Sequence, residues 1–201
     1  IINRAKKESG ITIEIIDGKL EAALVFSNHI EELLNPKYAY LYIDVGGGST
    51  ELTLYFNQKV IAAKSFNIGT VRMLLGKDEK EEWEEMKAWL KRSTIGIHPL
   101  NAIGSGGNIN KIFKMANKKE TKHLTYEKLK GQYEMLSSYT YEERIERLGL
   151  KPDRADVIVP AAKIFLTIMK TADIDKVYVP QIGLSDGIVH DLYDTFKAKA
   201  K

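Results

Sequence analysis

Alternating strand-like and helix-like hydrophobic patterns run along this chain of 201 residues. Short runs of aromatic and β-branched residues predict strands, and apolar residues three or four positions apart predict helices. The predicted strands of the main unit span 38–43, 52–56, 60–63, 99–103 and 176–179, and the main predicted helices span 78–90, 109–116, 125–136 and 154–171. Because strands and helices are interspersed, the pattern predicts an α/β fold.

The first 34 residues predict a smaller unit ahead of these strands. Residues 1–9 are typical of the end of a helix, with cationic side chains near its last turn and Gly10 as its stop. Residues 11–16 predict a strand, and Asp17 is placed to cap a further helix that ends before Pro36. The chain does not begin with methionine, so we expect it to have been cut from a longer protein.

The turn between the strands predicted at 38–43 and 52–56 is the most informative stretch for function. It reads Asp-Val-Gly-Gly-Gly-Ser-Thr-Glu over 44–51, with Gly46, Gly47 and Gly48 at the tip of a hairpin. Consecutive glycines have a high cost in chain entropy. Without Cβ atoms, however, their backbone N–H groups can turn inward around an anion. The tip is therefore a candidate phosphate cradle.

Polar side chains flank this tip. Ser49 and Thr50 add hydroxyl donors, and Asp44 and Glu51 add two carboxylates. Carboxylates are ligands that suit Mg²⁺, and magnesium neutralises phosphate charge. The stretch therefore predicts a phosphate and magnesium site, in preference to a flexible turn with incidental acidic flanks.

A second glycine-rich turn follows the strand predicted at 99–103. Gly104, Gly106 and Gly107 precede Asn108, and a helix is predicted to begin directly afterwards. The N–H groups and the dipole of a helix N-terminus favour anions. The turn lacks the third glycine of the dinucleotide fingerprint and the Gly-Lys-Ser/Thr of a P-loop. Two such turns, each after a strand, indicate phosphate binding more strongly than either turn alone.

Glu21 lies in the first turn of the early helix, so we expect it to face the loop end of the preceding strand. Active sites of α/β folds gather at that end. The helix dipole also favours a glutamate in a first turn without any catalytic role. By position alone, Glu21 is either a catalytic carboxylate or a structural one.

Composition narrows the class of protein. The hydrophobic fraction of 44% is ordinary for a globular chain, and the net charge of +3 suits a polyanion without indicating a specific nucleic-acid partner. Without cysteine, a membrane-length apolar run or a visible signal peptide, we expect a cytoplasmic protein with no membrane partner. The lysine-rich run at 111–130 is either a solvated helix surface or a contact for a polyanion.

Several ordered segments resemble the exopolyphosphatase and guanosine pentaphosphate phosphohydrolase (Ppx/GppA) family of the actin-like ATPase superfamily. The glycine hairpin at 44–51 resembles the family signature. The other segments that carry the resemblance are 15–22, 68–72, 104–107, 152–160 and 183–187. The likeness covers nearly the whole chain. It implies an actin-like, ribonuclease H-like domain with a mixed five-stranded sheet, forming the second half of a two-domain cleft enzyme.

The resemblance also implies roles for individual residues. Glu21 becomes the general base that activates water, and Asp44 and Glu51 become the carboxylates of the Mg²⁺ and phosphate site. The glycines and Ser49 of the hairpin, with Gly106 and Gly107, become the phosphate cradle. Hydrolysis of a phosphoanhydride needs such a base, and it needs cations and amides that absorb charge. The implied substrate is polyphosphate or guanosine pentaphosphate, and the pattern does not choose between them.

The same resemblance divides the chain into two parts. Residues 1–34 correspond to the tail of the first actin-like domain with its catalytic helix, and residues 35–201 to the second domain, with a helical insertion at about 117–152. The phosphate loop of the family's first domain is not present in the sequence. We therefore expect the N-terminal domain of the same chain as a partner, and we expect the isolated chain to be nearly inactive. Formation of a homodimer is left open.

The sequence departs from the family pattern at three places. Asn108 stands where threonine is usual, Ala23 where arginine is usual, and Ser185-Asp186 where arginine–glutamate is usual. The loss of two arginines weakens anion binding. One alternative is therefore a non-catalytic sensor of an alarmone or nucleotide with the same fold. A further alternative is an actin-like assembly protein or a sugar kinase.

Overall fold

The computed structural model describes most of the chain. The described residues are 2–14, 35, 37–57, 59–116 and 123–180, with the helical positions 188–189, 192–193 and 195–197. Glu21 and the turn at 183–187 lie outside the described residues, so their predicted roles stay predictions.

A three-stranded antiparallel meander forms one half of the sheet. Strand β1 spans Ala39–Val45, β2 spans Thr50–Phe56 and β3 spans Lys59–Phe66. β2 pairs with both neighbours in antiparallel register. Four residues join β1 to β2, so the predicted hairpin with glycines at its tip is confirmed.

The other half of the sheet is mixed. Strand β4 spans Leu100–Ser105, β5 spans His123–Thr125 and β6 spans Lys176–Tyr178. β4 runs parallel to β1, β6 runs parallel to β4, and β5 runs antiparallel to β6. The order across the sheet is β3-β2-β1-β4-β6-β5. A mixed sheet is confirmed, but the described residues form six strands of it and not the predicted five.

The additional strand is β5, within the stretch predicted as a helical insertion. It contains one buried residue, Leu124, between two half-buried ones, and so short a run has no recognisable alternation. Thr125 is predicted only as a helix cap. It does accept a hydrogen bond from the N–H of Lys128, but it also ends the strand.

Helices precede and connect the strands. Their bounds are α1 Ile2–Ser9, α2 Thr70–Leu74, α3 Lys80–Thr94, α4 Gly107–Ala116, α5 Tyr126–Ser138, α6 Tyr141–Glu146, α7 Pro152–Ala155 and α8 Ile158–Thr171. Gly10 follows α1 at φ 74°, and its N–H donates to the carbonyl of Lys6. The predicted capping box of Thr140 and Glu143 is present at the start of α6. Among the described residues, no helix is long and apolar enough to cross a bilayer.

The helix predicted over 154–171 is two helices. Pro160 has no N–H, and its ring collides with the carbonyl of the residue four positions earlier, which is Asp156. A single helix through both residues is therefore disfavoured. The chain turns at Asp156 and Val157, and α8 begins at Ile158, so Pro160 lies in a first turn where proline is tolerated.

The strand predicted at 11–16 is not found in its described part. Residues 11–14 have no strand partner among the described residues, and the side chains of Ile11 and Ile13 are exposed. The alternating pattern of these residues indicates β propensity. A segment with this propensity forms a strand only where a neighbouring strand can pair with its backbone.

One face of the sheet packs against the helices. Helix α8 lies at the centre of this layer and contacts α3, α4 and α5. The strand side chains that face this layer are fully buried and include Leu41, Ile43, Leu52 and Leu54. The alternate side chains form the opposite face, which is rich in tyrosine. Burial raises the pKa of Tyr55 on that face to about 12, so its hydroxyl remains protonated at neutral pH.

The missed strand β5 can be tested through His123, whose ring centroid lies 5.5 Å from that of Tyr178 on β6. Burial, and then the charges of Lys176 and Lys128, lower the pKa of His123. As the pH falls, His123 is therefore protonated at a higher pH in the unfolded chain than in the folded one. We expect a contribution to the free energy of unfolding that is complete above about pH 6.5 and is lost below it, with a slope of at most about 1.4 kcal/mol per pH unit.

Urea unfolding as a function of pH measures this slope. His123→Gln should flatten the curve relative to the unsubstituted chain. His98→Gln, which replaces an exposed histidine outside the sheet, is the matched control. Identical curves for the unsubstituted chain and His123→Gln would contradict the placement of β5.

Candidate phosphate-binding site

Four polar side chains form a row across one end of the sheet. Glu51 of β2 lies opposite both Ser65 of β3 and Asp44 of β1, and Asp44 also lies opposite Ser105 of β4. Directly paired residues point to the same face of a sheet. The Ser65 hydroxyl donates to Oε1 of Glu51 at 2.9 Å. The two predicted carboxylates are therefore neighbours, with a serine on either side.

The carbonyl groups of the first glycine turn point towards α2. The carbonyl oxygen of Gly46 accepts from the N–H of Thr70 at 3.0 Å, and that of Gly47 accepts from the N–H of Val71 at 2.9 Å. The first N–H groups of α2 are thus used by the turn and cannot bind an anion. The start of this helix acts instead as a support for the glycine backbone.

Two of the N–H groups of the same turn lack a partner among the described residues. The turn is closed by a hydrogen bond from the N–H of Gly46 to the carbonyl of Ser49 at 2.9 Å. Within the described part of the chain, the N–H groups of Gly47 and Gly48 have no hydrogen-bond partner. An unpaired pair of successive N–H groups is the arrangement that binds phosphate oxygens.

Gly69, the residue before α2, allows the turn to lie this close to the helix. A Cβ at Gly69 would stand 2.4 Å from the carbonyl oxygen of Gly47 and 2.5 Å from the carbonyl carbon of Gly48. Both are backbone atoms that cannot rotate away. At Gly48, in contrast, no atom of the described residues lies within 4 Å of a Cβ. Among these residues, the turn is therefore tightly packed towards α2 and open on its outer side.

The second glycine turn lies beside the first. Gly106 has φ 103°, a conformation that side chains disfavour. A Cβ at this residue would lie 3.5 Å from Oδ1 of Asp44 and 3.6 Å from the carbonyl oxygen of Val45. Because β1 and β4 are parallel neighbours, the turns that follow them leave the sheet at the same end. The structure thus brings together the two turns that the sequence predicted as phosphate cradles.

Two of the predicted phosphate contacts serve the fold instead. Thr50 is fully buried, and its hydroxyl donates to the carbonyl of Ile68 at 2.6 Å. Gly104 lies inside β4, where a Cβ would stand 3.0 Å from the side chains of Phe165 and Val177. Side chains alternate along a strand, so both positions face the helices and not the polar row. We therefore assign Thr50 and Gly104 to packing.

Asn108 acts on a neighbouring arginine. Its side chain is buried, and its Oδ1 accepts from Nη1 of Arg154 at 2.8 Å. The Arg154 guanidinium lies over Gly107, where a Cβ would come within 2.7 Å of Nη2. The predicted phosphate contact Asn108 therefore fixes Arg154 beside the second turn, and Gly107 leaves the space that the guanidinium fills.

Arg72 occupies the corresponding place at the first turn. Its Nε donates to the carbonyl of Gly48 at 2.9 Å, which holds the guanidinium close to the glycines. Arginine is well suited to bind phosphate because its planar group offers several donors. Neither Arg72 nor Arg154 was predicted as a site residue, although both lie in segments that carry the family resemblance. Ser65 and Ser105 had no signal, since a single serine in a strand forms no pattern.

Asp44 and Glu51 fit Mg²⁺ in their donor chemistry. Magnesium takes hard oxygen ligands, commonly one or two carboxylates with water and phosphate oxygens. Like charges on directly opposite strand positions repel, so a cation shared by the two carboxylates would be stabilising. Among the described residues, no cluster of three or more His, Cys, Asp or Glu side chains could hold a metal. Water or phosphate would have to complete the coordination.

The mixed sheet and its flanking helices define a domain of the actin-like class, with two glycine turns side by side at one end of the sheet. Comparison with known proteins then identifies its family. The model of the Ppx/GppA phosphatase family matches residues 1–196. The chain belongs to the Ppx/GppA phosphatase family.

Named relatives and solved structures agree with this assignment. The guanosine-5'-triphosphate,3'-diphosphate pyrophosphatase of Pseudoalteromonas translucida is 25% identical over 202 residues, which cover 94% of this chain and 40% of that protein. The Ppx/GppA family member of Aquifex aeolicus is 25% identical, with a TM-score of 0.72 over 96% of this chain and 68% of that one. An exopolyphosphatase from Cytophaga hutchinsonii, 23% identical, shares the fold with a TM-score of 0.77 over 96% of this chain and 69% of that one. The chain thus spans about 40% of the length of the Pseudoalteromonas relative.

The close approach at Gly69 gives a direct test of the turn geometry. Gly69→Ala places a methyl group against the backbone of Gly47 and Gly48, so either the turn or α2 must move. We expect the free energy of unfolding, measured by urea denaturation, to fall by about 2 kcal/mol or more.

Gly48→Ala is the matched control, because the same methyl group at that position meets none of the described residues. We expect it to change the free energy of unfolding by less than about 0.5 kcal/mol. Equal losses in the two variants would show that the turn does not pack against α2 as described.

Proposed function

We propose that this chain supplies the phosphate-binding half of a magnesium-dependent hydrolase that releases the terminal phosphate of polyphosphate or of guanosine pentaphosphate. The observation that carries the proposal is the meeting of two glycine turns and two carboxylates at one end of the sheet, with Gly106 beside Asp44. Membership of a phosphatase family supports the class of reaction. The name of the Pseudoalteromonas relative supports guanosine pentaphosphate as one substrate. The name of a curated relative from Haemophilus influenzae, a putative exopolyphosphatase, supports polyphosphate as the other.

The reaction transfers a phosphoryl group to water. The water oxygen forms a bond to the terminal phosphorus, and the bond from that phosphorus to the bridging oxygen breaks, with its electron pair left on the shortened substrate. Glu21 is the base that takes the proton of the attacking water. That role is supported by the family resemblance of the segment 15–22.

The described residues bind the phosphate and stabilise its charge. The N–H groups of Gly47 and Gly48 face the phosphate oxygens, on which negative charge is spread in the transition state. Arg72, fixed by the carbonyl of Gly48, adds a cationic fork beside them. Asp44 and Glu51 would hold Mg²⁺, which when bound neutralises phosphate charge.

In this proposal, a second domain supplies the opposite wall of the cleft. The chain spans 40% of the length of the Pseudoalteromonas relative, which leaves room for a further domain. We propose that an N-terminal domain of the same polypeptide closes over the glycine turns. The cysteine-free composition suits an enzyme that works in the cytoplasm.

The proposal is tested by phosphate release from both substrates. In the full-length gene product, Glu21→Gln should reduce the rate by roughly 10²–10⁴-fold, because the attacking water loses its base. Chelation of magnesium should abolish the release. The isolated chain should bind either substrate and release little phosphate from it.

Glu84→Gln is the matched control. Glu84 lies on the exposed side of α3, where its Oε1 pairs with Nζ of Lys87 at 2.9 Å, and the substitution removes the same charge. Its rate should equal that of the unsubstituted enzyme. Release that survives Glu21→Gln or magnesium removal undiminished would contradict the mechanism. Binding of both ligands with no release by the unsubstituted protein would favour the sensor alternative.

A further inference from the structure

A cavity of about 330 Å³ opens beside the second glycine turn, between α4 and the chain that joins α6 to α7. Its walls include Gly107, Asn110, Lys111, Lys114, Lys151 and Arg154, and we call it the lysine cavity. Its volume lies at the lower end of the range for small-molecule sites, about 300–1,000 Å³. None of the described residues that line it is acidic or aromatic.

Helix geometry brings the cations of the lysine cavity together. Lys111 and Lys114 are three residues apart on α4 and therefore share one side of that helix. Lys151 precedes α7, and Arg154 lies within it, so both reach the cavity from the opposite wall. The cavity thus has cations on two walls.

The described residues provide no acidic partner for these cations. Within the described part of the chain, none of them forms an ion pair, whereas Lys64, Lys87 and Lys130 each pair with a glutamate. Like charges that face one another across a cavity repel. A bound anion would remove that repulsion, so the arrangement favours an anionic ligand.

Arg154 connects the lysine cavity to the glycine turns. Its guanidinium lies over Gly107 of the second turn, and Nη1 is held by Oδ1 of Asn108 at 2.8 Å. The same side chain lines the cavity. Arg154 therefore borders both the second glycine turn and the lysine cavity.

We propose that the lysine cavity is a second anion subsite, which takes inner phosphate groups of a linear polyphosphate while the terminal phosphate lies at the glycine turns. The proposal rests on the proposed function and selects polyphosphate over guanosine pentaphosphate as the better ligand. A nucleotide would bring a base, and the lining has no aromatic ring on which a base could stack. One side of the Arg154 guanidinium is covered by Gly107, which limits stacking on that group too.

Binding measurements test the subsite without relying on turnover. The protein is the full-length gene product with Glu21→Gln, and the probes are long-chain polyphosphate, inorganic phosphate and guanosine pentaphosphate, measured by calorimetry. Lys111→Gln/Lys114→Gln should raise the Kd for long-chain polyphosphate roughly three- to tenfold, since partly exposed charge pairs contribute modestly. The Kd values for inorganic phosphate and guanosine pentaphosphate should stay within about twofold.

Lys163→Gln/Lys170→Gln is the matched control. It removes the same charge from exposed positions of α8 that do not line the lysine cavity. It should leave the binding of all three ligands unchanged. If it weakens polyphosphate binding as much as the cavity variant does, the effect is general attraction between charges and the subsite is refuted.

Three further results would overturn the proposal. They are an unchanged Kd for long-chain polyphosphate, an equal loss for all three ligands, and a selective loss for guanosine pentaphosphate, which would assign the cavity to a nucleotide. Failure of the hydrolase proposal would look different. Phosphate release that is insensitive to Glu21→Gln would refute that mechanism, while selective weakening of long-chain binding would still support the subsite.

Discussion

The site depends on the parallel pairing of β1 with β4. Its register sets Asp44 opposite Ser105, so the two strands end at the same level and their glycine turns emerge side by side. A slip of one residue would turn Asp44 towards the helices and bring an apolar neighbour into the polar row. The register is held by fully buried side chains on the helix-covered face, among them Ile43 and Ala102. The hydrophobic core therefore positions the carboxylates.

The glycines of this region are there for different physical reasons. Gly69 and Gly104 are required by close packing against backbone or core side chains, and Gly106 is required by its φ of 103°. Gly48 is required by neither, because a Cβ there would meet no atom of the described chain within 4 Å. A glycine lowers the stability of the folded state because it loses more conformational entropy on folding than other residues do. A glycine that the fold does not require therefore suggests a role in ligand binding. The approach of a phosphate to the Gly47–Gly48 backbone is such a role.

Contiguous patterns could be predicted from the sequence, and features made by tertiary contact could not. The longer strands and the two glycine turns each produce a recognisable pattern in consecutive residues, and the structure contains them. β5 is too short to show a period, so the sheet was predicted one strand too small. Thr50 and Gly104 were predicted as phosphate contacts because they adjoin the motifs, yet one step along a strand reverses the face. Arg154 and Asn108 are 46 positions apart in the sequence, so no local pattern predicts the hydrogen bond between them.

The hydrogen bond between Arg154 and Asn108 changes how the departures from the family pattern are interpreted. The arginines expected near Ala23 and Ser185 are absent from the sequence, which on its own favours weaker anion binding. The structure, however, holds Arg72 by the carbonyl of Gly48 at the first turn and Arg154 at the second. The Asn108 amide oxygen accepts a hydrogen bond from a guanidinium, so the residue that replaces the usual threonine is also the one that fixes Arg154. Each glycine turn thus retains an arginine, and the missing ones give little reason to prefer a sensor over a hydrolase.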